Sequence, residues 1–420
     1  MSQTMSEDGT TVPGESERAG PVAIGVLVVG SFLLLVSFGL NAMDRQVFYP
    51  LLPEIRTEFG FSLGQGGFLA TGFTLGLAAA GIAGGFLADR MARKPILIYS
   101  LVIFSIGTLL VPLSMGFVDM ALYRIVSGIG EGLQSAAIYA VAGSFFFHRR
   151  GLAFGILSAA FGIGVFVGPL IGHGLSAAWG DWRAAFFVFG AAGLLIAVAM
   201  TVGLRREITE AHHGGGGAVV DVSHVAESPY NRNTLMFGIA SACGGLIFYG
   251  FLGLYPTYLR EVLKFTPGET ALAAGLIGAG AATGIFFGWL GDSADQRKLL
   301  IGTFLSISVA SWFTYQGPTT PGWQYLLAFL MGTFAAGALH VNCNSAMTRA
   351  VRPHQIGRGE GLFLGSYYTA AAVSGLLFAM LVGSLGWGGA ALWQFTLLPL
   401  VAVAALWFVD SSKQITTGRH

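Results

Sequence analysis

Long runs of apolar residues, separated by short polar turns, dominate this chain. A helix of about 20 apolar residues is long enough to cross a lipid bilayer. By this measure we predict an all-α membrane protein with twelve transmembrane helices. The predicted spans are about 22–49, 66–88, 95–116, 120–147, 152–176, 184–203, 234–258, 270–291, 299–316, 324–348, 360–383 and 389–409.

One longer polar break divides these spans into two sets of six. It contains His212-His213 and four consecutive glycines, and such a composition is typical of a flexible linker. A metal site at the histidine pair is the less favoured interpretation, and we predict neither a metal nor a cofactor. The predicted organisation is a disordered cytoplasmic tail at 1–20, a six-helix bundle at 21–203, a cytoplasmic linker at 204–233, a second six-helix bundle at 234–410 and a cytoplasmic tail at 411–420.

Composition supports the membrane assignment. Hydrophobic residues make up 54% of the chain, charged residues 10%, and the mean hydropathy is +0.69. A soluble domain has roughly 25% charged residues. The 63 glycines suit close helix packing in lipid. Cys243 and Cys343 lie in apolar runs, where packing is their expected role, and the net charge of +1 gives no reason to expect a nucleic-acid partner.

The distribution of basic residues predicts the orientation. If the N-terminus is cytoplasmic, sixteen of the 22 Lys and Arg residues fall on the cytoplasmic side. Only Arg56, Arg183, Arg260 and Lys264 fall outside. Because cytoplasmic loops carry the excess of Lys and Arg, we expect a multi-pass protein of the cell (inner) membrane, monomeric, with both termini in the cytoplasm. The polar, acidic first 20 residues lack the basic start of a secretory signal.

Four ionisable residues interrupt the apolar runs of the first half. Asp44 and Arg45 follow an uncharged stretch from 21 to 40, whereas Arg124 and Glu131 lie inside the fourth predicted span. Arg124 and Glu131 are seven residues apart and therefore share one helix face. Charged groups at membrane depth are costly and usually mark a substrate or ion path.

These four residues are the candidate working centre of a proton-coupled transporter. Burial opposes ionisation of a carboxylate and a nearby cation favours it, so Glu131 and Asp44 are the candidate proton sites. Arg124, and also Arg45, are the candidate anion sites because guanidinium matches a carboxylate. The alternatives are a static ion-pair network between the first and fourth helices, neutralisation of Arg124 by Glu131, and a position of Asp44 close to the outer surface.

The predicted spans of the second half hold only neutral polar groups at comparable depth. Amide and aromatic groups of this kind suit the hydroxyls and body of a small ligand. Packing is the alternative for each of them, and His340 has the further alternative of a second proton carrier. The candidate substrate contacts are Tyr249, Tyr255, His340, Asn342, Asn344, Tyr367 and Tyr368.

Two loops, one in each half, share a pattern. Gly85-Phe-Leu-Ala-Asp89-Arg90-Met-Ala-Arg93-Lys94 follows the second span, and Gly288-Trp-Leu-Gly-Asp292-Ser-Ala-Asp295-Gln-Arg297-Lys298 follows the eighth. Such an internal sequence repeat is expected of a duplicated transporter fold. The first loop resembles the signature loop of the major facilitator superfamily, although Ala92 stands where that family often has glycine. The resemblance implies two pseudo-two-fold related bundles.

In that family the loop aspartate and basic residues latch the two halves together. The alternative is that the basic residues only set the topology. The resemblance implies gating roles for Gly85, Asp89, Arg90, Arg93, Lys94, Asp292 and Arg297.

Within the superfamily, the chain most resembles the organic anion:proton (anion:cation) symporters. Asn41-Ala-Met-Asp44-Arg45 and Arg124-x3-Gly128-x2-Glu131 carry this resemblance, although Leu254 stands where such transporters often have Trp. Spinster-like transporters share both elements. Gly164-x3-Gly168-Pro169-x2-Gly172 resembles a motif of drug-exporting antiporters.

These observations predict a secondary transporter and not an enzyme. The chain has no Gly-x4-Gly-Lys-Ser/Thr loop for ATP, so gradients must supply the energy. The leading hypothesis is proton-coupled symport of a small organic anion, such as a sugar acid or an aromatic acid. The alternative is proton-coupled export of drugs or lysolipids. A receptor with this fold has no supporting feature in the sequence.

Overall fold

The structure is a computed structural model and describes residues 23–145, 150–209, 224–352 and 355–414, with the side chains at 81, 82, 84–90, 143–145, 150–155, 158, 293, 356 and 357 outside the description. The predicted tail at 1–20, the histidine pair and glycines of the linker, and the last six residues lie outside the described residues. The described helices are α1 Ile24–Phe59, α2 Leu63–Thr71, α3 Phe73–Arg90, α4 Arg93–Leu110, α5 Phe117–Phe145, α6 Arg150–Trp179, α7 Arg183–Gly203, α8 Arg206–Thr209, α9 Arg232–Glu261, α10 Pro267–Ala281, α11 Gly284–Ser293, α12 Gln296–Gln316, α13 Pro321–Met331, α14 Val341–Arg349, α15 Ile356–Ala391 and α16 Leu398–Trp407.

These helices make twelve crossings. Ten spans in the described part of the chain are long and apolar enough to cross a bilayer, and the last of them, Arg358–Trp407, has 50 residues. A 50-residue helix is about 75 Å long, more than twice the roughly 30 Å of a hydrocarbon core. Gly386, with a φ of 70°, breaks it into two crossings. Together α2 and α3 supply the remaining crossing.

Helix starts follow capping signals in the sequence. Ser62 and Gln65 form a capping box at α2, in which each side chain bonds the other residue's backbone N–H. Asn231 and Thr234 do the same at α9. Such boxes satisfy N–H groups that a helix start leaves unpaired. The structure thus begins α9, and with it the second bundle, at Arg232, two residues before the predicted boundary.

The first helix runs ten residues past the end of the predicted span. We expected it to end near residue 49, before two prolines, but α1 continues through Pro50 and Pro53 to Phe59. Proline removes one backbone donor and disfavours a helix interior. The last turn is nevertheless helical, and the Thr57 hydroxyl donates to the Pro53 carbonyl at 2.8 Å. Gly60, with a φ of 66°, ends the helix in the left-handed conformation.

The charged residues of this extension join the two bundles. Arg56 pairs with Glu261 at the end of α9, and Arg260 Nη1 lies 2.6 Å from Glu54 Oε1. Both pairs lie at the end of the molecule where α1 and α9 finish, which we call the far end. Because each pair joins the first bundle to the second, they hold the bundles together at this end.

Glycines bring helices of the two bundles into backbone contact. A side-chain carbon added at Gly67 on α2 would overlap the carbonyl of Gly375 on α15, and the reverse substitution would overlap the Gly67 carbonyl. Beside this crossing the Thr71 hydroxyl donates to the Ala372 carbonyl at 3.0 Å. Small residues at such crossings are how membrane helices approach closely.

This contact makes a prediction about Gly375. Gly375→Val should destabilise the protein by about 1–3 kcal/mol, because the new side chain overpacks against backbone that cannot move aside. The melting temperature in detergent measures the loss. Gly383→Val on the same helix is the matched control, since nothing lies within 4 Å of a side chain added there. Equal melting temperatures for the two variants would contradict the proposed crossing.

Candidate functional site

Helices α1 and α5 position the four ionisable residues. Asp44, Arg45, Arg124 and Glu131 are all buried, with exposed fractions of 2%, 6%, 2% and 0%. Asp44 is therefore shielded from solvent, and its depth relative to the outer surface stays a prediction. Between Arg124 and Glu131, Gly128 lets α5 lie directly against α3, since an added side-chain carbon would meet the Phe73 carbonyl.

Glu131 forms an ion pair with Arg45. Arg45 Nε donates to Glu131 Oε2 at 2.8 Å, and Arg45 Nη2 donates to Asn41 Oδ1 at 3.2 Å. Asn41 Nδ2 in turn donates to Gln134 Oε1 at 2.8 Å. The network ties α1 to α5. Neutralisation of Arg124 by Glu131, the alternative from sequence, is wrong in this structure, because seven residues separate them by about 10 Å along the helix and Arg45 reaches Glu131 from α1.

Asp44 is held by hydroxyl groups. Thr108 Oγ1 and Ser127 Oγ donate to its Oδ2 atom at 2.7 Å and 3.2 Å. No basic nitrogen among the described residues lies within the 4.0 Å of an ion pair. Ser127 also approaches Glu131 Oε1 at 3.4 Å. Asp44 and Glu131 therefore share the Ser127 hydroxyl as a neighbour. Glu131 is ion-paired, whereas Asp44 accepts hydrogen bonds from hydroxyl groups alone.

Arg124 is buried without a carboxylate partner in the described part of the chain. Its Nε donates to the Leu69 carbonyl at 3.4 Å, and its guanidinium carbon lies 4.1 Å and 4.7 Å from the ring centres of Phe48 and Phe73. Its Nη2 has no hydrogen-bond partner there. Aromatic faces attract a guanidinium electrostatically but leave its hydrogen-bonding edge unused. Arg124 thus retains donor capacity for a further group.

Four of the predicted contact residues of the second half cluster opposite this network. The Tyr249 ring centre lies 6.0 Å from that of Tyr368 and 6.2 Å from that of Tyr367. The His340 ring lies 5.0 Å from that of Tyr367, and the Tyr368 hydroxyl lies 3.4 Å from His340 Nε2. Tyr249 also reaches across to Phe73 of the first bundle, with ring centres 6.3 Å apart.

The other three predicted contact residues, Tyr255, Asn342 and Asn344, are not part of this cluster. Tyr255 donates to the carbonyl and side-chain oxygen of Gln324, both at 3.1 Å. Asn342 Nδ2 donates to the carbonyls of Ala338 and Phe287 at 2.9 Å and 3.2 Å. Asn344 is half-buried on α14. The polar atoms of Tyr255 and the Asn342 amide nitrogen are used inside their own bundle, so the structure does not bring these two to the ionisable cluster.

The predicted gating residues that are described make contacts within a bundle. Arg93 Nη1 donates to the Ala140 carbonyl at 3.2 Å, and Lys94 Nζ donates to the Thr201 carbonyl at 2.9 Å. These contacts hold α4 to its neighbours. The side chains of Gly85, Asp89 and Arg90 lie outside the described residues.

In the second bundle, Asp292 pairs with Arg349 at 2.7 Å, and Arg297 lies over the Trp407 ring at 5.2 Å. A latch between the halves is not among these contacts.

Sequence reasoning missed Thr108, Ser127 and Tyr49. The sequence contains a signal for Ser127, because this residue is three positions after Arg124 and four before Glu131. It therefore shares their helix face. Tyr49 likewise follows Arg45 by four residues. Thr108 gave no signal, since a lone threonine in an apolar run is ordinary.

Two bundles of membrane-spanning helices that bury four ionisable residues are typical of a multi-pass membrane transporter. The model of the Major Facilitator Superfamily matches residues 34–371. The chain belongs to the Major Facilitator Superfamily, as the loop pattern and the two-bundle fold predicted.

Solved structures support the same fold. A bacterial homolog to the human lysosomal transporter Spinster, in an inward-facing and unoccupied conformation, superposes with a TM-score of 0.72 at 20% identity, covering 93% of this chain and 96% of that one. The occupied inward-facing form gives a TM-score of 0.69. At this identity the likeness concerns the fold alone.

Curated relatives are transporters. The hexuronate transporter of Bacillus subtilis is 26% identical over 237 residues, 55% of this chain and 56% of that protein. The cis,cis-muconate transport protein of Acinetobacter baylyi is 26% identical over 294 residues, 65% of each. An uncharacterized MFS-type transporter of Mycobacterium tuberculosis is 33% identical over 182 residues, 43% of this chain and 26% of that protein. The matches thus span between about a quarter and two thirds of these relatives.

The ion pair makes a prediction about stability. Arg45→Met should destabilise the protein by about 3–5 kcal/mol, because it leaves the Glu131 carboxylate buried without its cation. Adding Glu131→Leu should recover most of that loss. Unfolding in detergent measures both variants. Arg124→Met is the control, since it removes no ion pair, and additive losses for the Arg45 and Glu131 variants would contradict the pairing.

Proposed function

We propose that this transporter carries a small organic anion, a carboxylate such as a sugar acid or an aromatic acid, together with a proton by alternating access. The observation that carries the proposal is Arg124, a buried guanidinium with an unused donor and no carboxylate partner among the described residues. A guanidinium offers a fixed fork of donors to a carboxylate and cannot lose its charge.

The charges of the centre explain why a proton would travel with the anion. Two carboxylates, Asp44 and Glu131, balance two guanidinium groups, Arg45 and Arg124. An anion entering alone would leave the buried centre with one uncompensated negative charge, and uncompensated buried charge is costly. A proton that enters with the anion keeps the centre neutral. Binding of the two is therefore coupled through the electrostatic free energy of the site.

The two carboxylates would respond to a proton differently. A proton on Glu131 ends its attraction to Arg45, which lies 2.8 Å away, and releases a second guanidinium toward the anion. A proton on Asp44 breaks no ion pair, because that carboxylate is held by the Thr108 and Ser127 hydroxyls. In the proposal Glu131 links protonation to anion binding, and Asp44 is the second proton site.

The aromatic cluster of the second bundle would complete the site. Tyr249, Tyr367, Tyr368 and His340 form this cluster, in which the Tyr249 ring approaches Phe73 of the first bundle. Tyr255, Asn342 and Asn344 were also predicted as contacts. We no longer assign Tyr255 or Asn342 to the substrate, because their hydrogen bonds are made inside the bundle, and Asn344 stays a prediction.

The cycle would rock the two bundles about this centre. The ion pairs of Arg56 with Glu261 and of Arg260 with Glu54 would close the far end, which the excess of basic residues at the other end predicts to face outward. The loop at 85–94 and its counterpart with Asp292 and Arg297 would gate the opposite end. This places a monomer in the cell (inner) membrane with both termini cytoplasmic.

The names of two relatives agree with an organic acid as substrate, since one is a hexuronate transporter and the other a muconate transport protein. The export alternative drew on the Gly-Pro motif of the fifth predicted helix and on the similarity to Spinster-like transporters. In the structure, Gly164 and Gly168 pack against the backbone of Gly39 and Met43 on α1, and Gly172 packs against Val47. Close packing accounts for these glycines, so they give no separate support to drug export.

Removing the Arg124 side chain tests the anion site. Arg124→Ala should weaken binding of glucuronate or benzoate at least tenfold, because a hydrogen bond to a charged group contributes about 1.5–3 kcal/mol. Ligand-dependent thermal shift of the purified protein measures the change. Arg183→Gln is the control, since Arg183 pairs with Glu58 and Asp181 away from the centre. Wild-type affinity in Arg124→Ala would remove Arg124 from the site.

Replacing Glu131 by glutamine tests coupling. Glu131→Gln keeps the size of a protonated glutamate but cannot release a proton. It should retain exchange of labelled substrate across proteoliposomes, and it should fail to accumulate substrate when the outside is more acidic. Both activities are measured in one liposome preparation, beside Asp44→Asn. Loss of both activities would make Glu131 structural, and retained accumulation in Glu131→Gln with loss in Asp44→Asn would move the coupling site to Asp44.

A further inference from the structure

A chain of four hydrogen-bonded side chains crosses the interface between α1 and α5. Arg45 Nε donates to Glu131 Oε2 at 2.8 Å, and Arg45 Nη2 donates to Asn41 Oδ1 at 3.2 Å. Asn41 Nδ2 then donates to Gln134 Oε1 at 2.8 Å and lies 3.4 Å from the Glu131 carbonyl oxygen. The exposed fractions of Asn41, Glu131 and Gln134 are 0%. The chain is therefore shielded from solvent.

Helical spacing explains why these side chains meet in two pairs. Asn41 and Arg45 are four residues apart on α1, and Glu131 and Gln134 are three residues apart on α5. Residues with these spacings share one face of a helix. Each helix thus presents one ionisable and one amide side chain to the other, with Arg45 opposite Glu131 and Asn41 opposite Gln134.

The chemistry of Arg45 determines the orientation of both amides. A guanidinium only donates hydrogen bonds, whereas a side-chain amide accepts at its oxygen and donates from its nitrogen. Asn41 must therefore turn its oxygen toward Arg45 and its nitrogen toward α5. Gln134 must then offer its oxygen to Asn41, and its Nε2 atom is left buried without a hydrogen-bond partner in the described part of the chain. This unpaired donor is a consequence of orienting Asn41 for Arg45.

We propose that Asn41 and Gln134 are positioning residues that hold Arg45 against Glu131 and thereby set the pH at which Glu131 takes up the transported proton. The inference rests on the proposed function, since it assumes that Glu131 couples transport to protons. Asn41 binds the guanidinium at Nη2, while Nε faces Glu131. Gln134 acts one step further away, because it is bonded to Asn41.

The direction of the effect follows from the charge of Arg45. A nearby cation favours the ionised form of a carboxylate, so a firmly held Arg45 opposes protonation of Glu131. If Arg45 is held less firmly, Glu131 takes up a proton at a higher pH. In the proposed cycle the proton is taken up from outside, so uptake would then continue to a higher external pH than in the unmodified protein.

The other ionisable groups near this pair do not belong to the chain. The described part of α3 carries no charged side chain. On α4, Arg93 and Lys94 bond to the carbonyls of Ala140 and Thr201, and Ala140 is nine residues beyond Glu131. The groups that interact electrostatically with Glu131 or Arg45 are Asp44, Tyr49 and Arg124 of the first bundle and Tyr249, His340 and Tyr368 of the second. A substitution at Asn41 or Gln134 retains all of them.

Two variants test the positioning roles. Asn41→Ala removes the hydrogen bond to Arg45 but no ionisable group. The external pH at which uptake of glucuronate or benzoate into proteoliposomes is half-maximal should rise by about one unit, because a hydrogen bond to a charged group and one pKa unit are similar in free energy. Gln134→Leu should raise this pH midpoint by a smaller amount, since Gln134 acts through Asn41. Initial rates at a fixed internal pH measure both shifts.

Two controls show whether the shift depends on the bond to Arg45. Ser135 neighbours Gln134, but its hydroxyl donates to the Glu131 carbonyl at 2.8 Å and is not part of the chain. Ser135→Ala should therefore keep the midpoint of the unmodified protein. In Glu131→Gln, addition of Asn41→Ala should leave the pH dependence of substrate exchange unchanged, because the carboxylate on which Asn41 acts is gone.

The outcomes separate this inference from the function on which it rests. Unchanged midpoints in both Asn41→Ala and Gln134→Leu, or shifts to lower pH, overturn the positioning roles and leave proton-coupled anion transport standing. A shift in Asn41→Ala alone overturns the role of Gln134, and an equal shift in Ser135→Ala overturns both roles. If Asn41→Ala does not fold, the sign of the shift in Gln134→Leu decides. Uptake by the unmodified protein that does not depend on pH overturns the proposed function and this inference together.

Discussion

The burial of four ionisable groups within a membrane protein is the constraint on which the rest of this structure depends. The protein meets it in three ways. Arg45 and Glu131 neutralise each other across α1 and α5, Asp44 is solvated by two hydroxyl groups, and Arg124 lies on the faces of Phe48 and Phe73. Ion pairing, hydroxyl donors and aromatic faces differ in strength, so the four groups are not equivalent, and Arg124 retains a buried guanidinium nitrogen without a hydrogen-bond partner in the described chain.

The two bundles contribute different kinds of side chain to the centre. The first supplies every charged group, and the second supplies a neutral aromatic surface around His340 and Tyr367. In the proposed cycle, this division would let the charge balance be set within one bundle while the other bundle moves against it. Close glycine contacts fix the geometry inside the first bundle, as where Gly128 on α5 lies against the Phe73 carbonyl on α3.

The sequence-based assignments failed where a side chain contacts a group on another helix, because spacing along one helix does not predict such contacts. Arg124 and Glu131 share a face, which left open that they pair, but Arg45 of the neighbouring helix α1 forms the ion pair with Glu131 at 2.8 Å. Asn342 lies in an apolar run at a plausible depth, yet its amide donates to the carbonyls of Ala338 and Phe287. Likewise we predicted that the first span ends near residue 49, whereas the helix continues to Phe59 and carries charged residues to the other bundle.

The sequence by itself determined the membrane class, the twelve crossings, the superfamily and the residues that carry charge at depth. These follow from hydrophobic length, since a bilayer permits only spans of one size, and from the rarity of charge in such spans. Only the tertiary structure decided which charges neutralise each other, which polar groups are used for packing, and that Thr108, Ser127 and Tyr49 belong to the centre. Such pairings depend on the distance and rotation between helices far apart in the chain, and hydrophobic periodicity specifies neither.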